Sequence, residues 1–268
     1  MKRLGHAPPA RVAPAQRFEA GLASIAVEMV AEETPVTLAY NGVPHAVMMA
    51  SPADLDDFAT GFSLTEGLIA YPDAITAITV VRYSQGIELQ IETSTRVARD
   101  ARRRHLSGRS GCGICGMSDI KDVLRALPHV ESSVTFTVSA ILRAISELGA
   151  QQPLNDATGA VHAAGWANAE GAVGLVREDV GRHNALDKLV GAMARGAIDP
   201  RGGFVVLTSR GSFELVQKVA VLGAPLLATV SAPTGMAVQI AIDTGMTLAG
   251  FARDGRVTVY AHPERVRA

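Results

Sequence analysis

The chain of 268 residues has few cysteines, almost no net charge and no long apolar run. Its two cysteines are too few for a disulfide framework, which fits a reducing compartment. A formal net charge of −1 gives no bulk attraction for nucleic acid. No apolar run is long enough to cross a membrane, and residues 1–20 lack the apolar segment of a signal peptide. We therefore expect a cytoplasmic protein that binds neither nucleic acid nor a membrane.

Several motifs of nucleotide and metal sites are also missing. The chain has no GxxxxGK followed by serine or threonine, so we do not expect a GTPase. It has no second CxxC pair and no HxxxH spacing, so its motifs do not supply the full set of ligands that a zinc ion needs. No resident metal is expected.

Composition divides the chain into three parts. Residues 1–17 contain three prolines and four basic side chains, and we expect a flexible tail there. Residues 18–133 are expected to form an α+β lobe that ends in the cysteine loop and a short helix capped by Ser118. Residues 134–268 alternate apolar strands with helical patterns, which predicts a three-layer α/β domain with a mainly parallel sheet.

The first lobe carries clear turn and helix signals. Asn41–Gly42 between two apolar runs predicts a hairpin with a type I′ turn, and Pro44 predicts that its second strand lies at a sheet edge. Ser51 is predicted to cap the helix that follows. A second hairpin is expected to turn at Gln85–Gly86.

The second lobe places polar turns after its predicted strands. Ligands of α/β folds collect at the carboxyl ends of parallel strands, near helix N-termini. The candidate binding residues in these turns are Arg182, His183, Asn184, Arg210, Gly211, Ser212 and Thr234. A structural capping role explains Ser212 or Thr234 alone. Arg182–Asn184 needs partners or a ligand, whereas Asp187 and Lys188 fit a solvated helix face.

Both cysteines lie in the stretch SGRSGCGICGMSD, as Cys112 and Cys115. A redox dithiol, half of a metal site and a nucleophile that carries a group are all compatible with such a pair. A redox pair usually lies directly at a helix N-terminus, and a zinc site would need two further ligands from elsewhere in the chain. The surrounding glycines favour a flexible loop, and nearby basic side chains such as Arg109 favour the thiolate form.

The chain also resembles a known family, the formate dehydrogenase accessory sulfurtransferases of the FdhD/NarQ type. The likeness runs in order from Val36 to Tyr260, and EDVGRHNALDK is its most specific part. The matching stretches are CGICG, TGAVHAAGW, REDVGRHNALDKLVG, SRGSFELVQKVA, SAPTGMAV and LAGFARDGRVTVY.

This resemblance implies a cytidine-deaminase-like α/β domain, a homodimer and a sulfurtransferase that takes sulfane sulfur from a cysteine desulfurase. It implies delivery to the molybdenum bis(molybdopterin guanine dinucleotide) cofactor of formate dehydrogenase, a bound substrate that GDP would mimic. Cys112 would carry the persulfide with Cys115 as its companion, and His162 matches the family. The segment implied to contact the cofactor is Phe251, Ala252, Arg253, Asp254, Gly255 and Arg256.

Two other functions remain as alternatives. Zinc deaminases use HxE followed downstream by PCxxC. In this chain the cysteines precede His162, Ala-Ala-Gly follows it, and no proline leads into the CxxC. A protein that only holds the cofactor would have no need of the cysteines. The residues before His162, Ala160–Val161, also depart from the Gly-Gly or Gly-Thr of the family pattern.

Overall fold

A computed structural model describes residues 8–94, 97 and 126–268. The cysteine loop, the short helix predicted from Ser118 and nearly all of the arginine-rich stretch before the loop lie outside the described residues, so these predictions stay predictions. The helices are α1 Leu55–Thr65, α2 Val138–Ala150, α3 Pro153–Thr158, α4 Arg182–Arg195, α5 Phe213–Leu222 and α6 Gly235–Thr244. The strands of the first half are β1 Ala10–Glu19, β2 Leu22–Ala31, β3 Thr34–Tyr40, β4 Val43–Ala50, β5 Ile75–Tyr83 and β6 Gly86–Thr93. Those of the second half are β7 Phe136–Thr137, β8 His162–Asn168, β9 Val173–Asp179, β10 Gly203–Leu207, β11 Leu226–Thr229, β12 Thr247–Arg253, β13 Arg256–Ala261 and β14 Val266–Arg267.

The first lobe contains a four-stranded sheet in the order β4-β3-β6-β5. The β3–β4 hairpin turns at Asn41–Gly42, whose φ angles of 48° and 78° are those that a type I′ turn requires. Strand β4 with Pro44 lies at the sheet edge, so both predictions are confirmed. The second hairpin, β5–β6, is also present, but it turns at Ser84–Gln85, one residue earlier than predicted, because Gly86 pairs with Tyr83.

Helix α1 begins later than predicted. Its N-cap is Asp54, which adopts a left-handed conformation with φ of 51°, and not Ser51. Ser51 is fully buried, and its hydroxyl accepts a hydrogen bond from the Val180 amide at 3.1 Å. The predicted helix cap is therefore a contact between the two lobes.

The prediction of a flexible tail over residues 1–17 is wrong from Ala10 onward, because β1 pairs with β2 along ten residues. The period-2 pattern of the two strands explains the hairpin, since directly paired residues share a face. One face bears the Arg17–Glu28 ion pair. The other face is uncharged and exposes large apolar side chains. They are Val12, Phe18, Ile25, Val27 and Met29, here called the apolar hairpin face.

The second lobe is a three-layer α/β structure, as predicted, but the prediction of a mainly parallel sheet is wrong, because three of the five strand pairings are antiparallel. Its sheet has the order β13-β12-β11-β10-β8-β9, and β10, β11 and β12 are parallel. Alternate residues of β10 point to opposite faces, so Phe204 and Val206 pack under α2 while Val205 and Leu207 pack under α4, α5 and α6. Strand β13 is the predicted antiparallel edge strand. Strand β8, which was not predicted, runs antiparallel between β10 and β9.

The two lobes meet where α1 crosses α4. A Cβ atom on Gly61 would overlap the Asp187 carbonyl, and one on Gly191 would overlap the Asp57 carbonyl. The two glycines therefore allow the helix backbones to touch, which fixes the first lobe against the second. None of the helices in the described part of the chain has the length and apolar character needed to cross a bilayer.

Candidate functional site

The predicted polar turns meet at one edge of the large sheet, where the parallel strands end. The turn after β10 contacts the turn after β11, because the Thr234 amide donates to the Gly211 carbonyl at 2.9 Å. The turn after β11 contacts the end of β12, because the Phe251 amide donates to the Ser231 carbonyl at 3.3 Å. We call this cluster of turns the carboxyl edge.

Strand β8 adds a histidine to the same edge. Since β8 runs antiparallel to β10, its first residue, His162, lies beside the end of β10, where the Thr208 amide donates to the Ala163 carbonyl at 3.1 Å. The half-buried position lowers the pKa of His162 below its usual value, and the nearby charges of Arg182 and His183 lower it further. The fold therefore brings together His162, Arg182 and His183, which were all predicted to belong to one binding site.

The two proposed capping residues behave differently. The Thr234 hydroxyl accepts from the Ala237 amide at 3.4 Å, so it caps α6 as a structural role requires. Ser212 occupies the N-cap position of α5, but its side chain makes no capping bond. Its buried Oγ has no hydrogen-bond partner among the described residues. Ser212 is the better candidate for a ligand contact, because a buried hydroxyl needs a partner.

Exposed cations border the carboxyl edge. Arg210, Arg253 and Arg256 are all exposed, and the Arg256 guanidinium lies 5.2 Å from the centroid of the Phe251 ring. The Asp254–Gly255 turn between β12 and β13 has φ angles of 52° and 73°, which presents the two flanking arginines at the end of the hairpin. Ala252 is buried in the core, so within this segment only the backbone of Ala252 could reach a ligand.

Asn184 is held inside the protein. Its side-chain amide donates to the Met49 carbonyl at 2.7 Å and to Asp179 Oδ1 at 3.0 Å. Both amide protons are therefore used, one of them between the lobes, and the residue is buried. A contact between Asn184 and a ligand stays a prediction. Such a contact would have to use the side-chain amide oxygen of Asn184.

The interpretation of Asp187 and Lys188 as a solvated helix face is wrong, because both are buried. Helix α4 is covered by α1 on one side and by the sheet and α5 on the others, which leaves these charges no access to water. Lys188 Nζ lies 2.6 Å from Asp179 Oδ2 and donates to the Ser51 carbonyl at 3.0 Å. Charged groups that are shielded from water are typically paired in this way, since an isolated buried charge is costly.

A second buried cluster surrounds Asp187. Lys218 Nζ donates to both carboxylate oxygens of Asp187, at 2.8 and 3.0 Å, and to Glu66 at 2.9 Å. Thr65 donates to Asp187 at 2.6 Å. Burial raises the pKa of Asp187, and the positive charge of Lys218 offsets part of that rise. The polar residues of the motif thus join the lobes together.

One pair at the carboxyl edge was not predicted from the sequence. His183 Nε2 lies 2.8 Å from Glu214 Oε2, with 14% and 12% of the two side chains exposed. The distance is that of an ion pair, although the atoms are not aligned as a hydrogen bond. Glu214 lies in no spacing of charged residues that would mark it in the sequence. It reaches His183 only because α5 packs beside α4.

The described residues contain no group of three or more histidine, cysteine, aspartate or glutamate side chains arranged to hold a metal ion. Cys112 and Cys115 lie outside those residues. The carboxyl edge therefore offers cations, amides and hydroxyls, which suit an anionic ligand.

The architecture places the protein in the class of α/β proteins that cluster polar turns at the carboxyl ends of parallel strands. More specifically, the chain belongs to the FdhD/NarQ family, whose sequence pattern matches residues 31–267. It is 50% identical over 275 residues to a protein of Bordetella petrii named sulfur carrier protein FdhD, covering 100% of this chain and 99% of that one. A protein of the same name from Xanthomonas campestris pv. campestris (strain B100) is 52% identical over 253 residues, with 94% and 90% covered.

A solved structure shows the same fold. It is a putative formate dehydrogenase accessory protein from Desulfotalea psychrophila, 26% identical to this chain, with a TM-score of 0.78. The match covers 97% of this chain and 100% of the other. The predicted family and α/β class are confirmed.

Proposed function

We propose that the protein is a sulfur carrier that takes sulfane sulfur from a cysteine desulfurase and delivers it to the molybdenum bis(molybdopterin guanine dinucleotide) cofactor of formate dehydrogenase. Family membership and the names of the relatives support the sulfur-carrying part. The observation that supports the proposal most is the carboxyl edge, where the turns after β10 and β11 and the end of β12 are joined by hydrogen bonds and the Ser212 hydroxyl has no partner among the described residues. On this proposal the protein is a cytoplasmic sulfurtransferase.

The sulfur chemistry is assigned to Cys112 and Cys115. The Cys112 thiolate attacks the outer sulfur of the desulfurase persulfide, the S–S bond there breaks, and the desulfurase thiolate leaves. For delivery, the Cys115 thiolate attacks Cys112 Sγ and releases the outer sulfur as hydrosulfide. The two electrons come from the pair, which becomes a disulfide that a cellular dithiol reduces.

Mass spectrometry of the loaded protein tests this assignment. After incubation with a desulfurase and cysteine, the peptide with Cys112 is expected to gain the mass of one sulfur atom, and Cys112→Ala is expected to gain none there. If Cys112→Ala still supports full activation of formate dehydrogenase, the assignment is wrong.

The carboxyl edge is proposed to hold the guanine dinucleotide part of the substrate. Backbone amides near Gly211 and Ser212 suit a diphosphate, and Arg253 and Arg256 supply charge-assisted contacts at the adjoining hairpin. GDP presents the same chemical groups as that part of the substrate. We expect GDP to bind in the micromolar range, a free energy of ~8 kcal/mol, more tightly than ADP and without hydrolysis of GTP.

Calorimetry with GDP and ADP tests the nucleotide site. Arg256→Ala is expected to weaken GDP binding by about tenfold, the effect of losing a charge-assisted contact. Arg201→Ala is the matched control, because Arg201 is an exposed arginine that pairs with Asp199 beside the start of β10, at the opposite end of that strand. Equal affinity for the two nucleotides, or binding of neither, contradicts the cofactor-holding part of the proposal.

The homodimer is proposed to form through the apolar hairpin face. A two-stranded hairpin is at best marginally stable by itself in water, and Ile25 on this face is 92% exposed. A second copy of the chain is the partner that is always present to cover it. Each copy would then bring one carboxyl edge to the two-guanosine substrate.

Light scattering on two matched variants tests the dimer. Ile25→Glu places a charge on the apolar hairpin face and is expected to give a monomer. Ser24→Glu places the same charge on the opposite face of the same strand and is expected to remain a dimer. Dimers from both variants would exclude this face as the interface.

A further inference from the structure

The His183–Glu214 pair is a polar contact at the carboxyl edge that the proposed binding of nucleotide does not use. Both atoms of the pair, His183 Nε2 and Glu214 Oε2, are buried and lie 2.8 Å apart, and neither has a hydrogen-bond partner among the described residues. The two residues come from different helices, at the second position of α4 and of α5. The geometry therefore commits one imidazole nitrogen to a carboxylate.

The pair lies across the start of β8. Since β8 separates β9 from β10, the helices that follow those two strands meet beside His162. The charged groups that act on His162 are Arg182, His183 and Asp179, and Asp179 is itself bound by Lys188. Of these side chains, His183 is the histidine whose ring nitrogen lies beside a carboxylate, that of Glu214.

A carboxylate facing one imidazole nitrogen fixes which nitrogen carries a proton and how the ring is oriented. Glu214 Oε2 lies 2.8 Å from Nε2, so Nε2 faces the carboxylate and Nδ1 is the ring nitrogen left for a bound molecule. This is the arrangement that general acid–base catalysis needs.

We propose that His183 is the proton donor in sulfur delivery and that Glu214 is the positioning residue that orients its imidazole. The inference rests on the proposed function. When hydrosulfide replaces an oxygen ligand of the substrate metal, that oxygen leaves as water and needs two protons. Hydrosulfide itself supplies one proton. The imidazolium form of His183, protonated on both nitrogens, supplies the other from Nδ1, and solvent then returns that proton to the ring. No oxidant or reductant takes part in this exchange.

The test measures loading and delivery separately in the full-length protein. Wild type, His183→Gln, Glu214→Gln and Glu214→Asp are first loaded with persulfide by a desulfurase, and then mixed with unsulfurated formate dehydrogenase from about pH 5.5 to 8.5. His262→Gln is the matched control, because His262 pairs with Glu264 at 3.0 Å near the start of β12, at the opposite end of the strands.

All five proteins are expected to load sulfur equally. Delivery is expected to fall by about 100-fold in His183→Gln and Glu214→Gln, a typical size for loss of an acid–base group. His183→Gln is expected to lose the basic limb of the wild-type pH profile, since glutamine has no proton to donate in this step. Glu214→Asp should recover part of the rate, and His262→Gln should match wild type.

Three results would overturn the assignment: delivery by His183→Gln within about threefold of wild type, a pH profile unchanged by that substitution, or a tenfold loss of GDP affinity in Glu214→Gln. The last result would make Glu214 a binding group. Failure of wild type to load or deliver sulfur would instead contradict the proposed function, so the two failures are distinguishable.

Discussion

Replacing Lys188 by methionine is expected to destabilise the protein strongly, because the change leaves a buried carboxylate without its cation. Lys188 and Asp179 are both fully buried, and their charged atoms are 2.6 Å apart. Methionine fills a similar volume but leaves Asp179 and the Ser51 carbonyl without the donor. Breaking a buried pair from one side typically costs about 3–5 kcal/mol.

Urea unfolding measures this effect, with the free energy of unfolding extrapolated to water. Arg201→Met is the matched control, because it breaks an exposed pair with Asp199 and is expected to leave the urea midpoint unchanged. The double variant Asp179→Asn with Lys188→Met removes both charges and should recover about 1–2 kcal/mol relative to Lys188→Met alone. A Lys188→Met protein within about 1 kcal/mol of wild type would show that the buried pair contributes little to stability.

Further predictions concern the lobe contact and pH. Gly61→Ala is expected to lower the free energy of unfolding by about 1–3 kcal/mol, because its Cβ would overlap the backbone of α4. Gly149→Ala in α2 is the control, since its Cβ meets no atom within 4 Å and the change should be neutral or stabilising. The urea midpoints of both variants check this. The lowered pKa of His162 means that the unfolded chain binds the proton more readily, so stability should fall as the pH drops below about 6.5. His162→Gln should make urea midpoints between about pH 7.5 and 5.5 fall less steeply than those of wild type, and an unchanged slope would contradict this origin.

Local patterns in the sequence predict much of the fold, because turns and helix starts depend on neighbouring residues. Asn41–Gly42 gives the hairpin turn, and the helices near His183, Ser212 and Thr234 begin where their patterns indicate. Strand β8 was missed because its buried residues, such as Ala163 and Ala164, are small and show no strong alternation. The β1–β2 hairpin was missed because prolines in residues 1–17 concealed the period-2 pattern.

The candidate site could be predicted only in part. The turns at the carboxyl edge follow from strand order, since parallel strands end together. The burial of Asp187 and Lys188 could not be predicted from α4 alone, because it depends on the helix that the first lobe contributes. Glu214 likewise joins the site only through the packing of α5 beside α4.

The most direct test of the sulfur-carrier function follows one isotope through a single turnover. The protein is loaded with sulfur-34 from labelled cysteine and a desulfurase, separated from both, and mixed with unsulfurated formate dehydrogenase. We expect the label to leave the peptide with Cys112 and to appear on the molybdenum cofactor as the enzyme gains activity. Activation of the enzyme with unlabelled sulfur, while the label stays on the carrier, would contradict it.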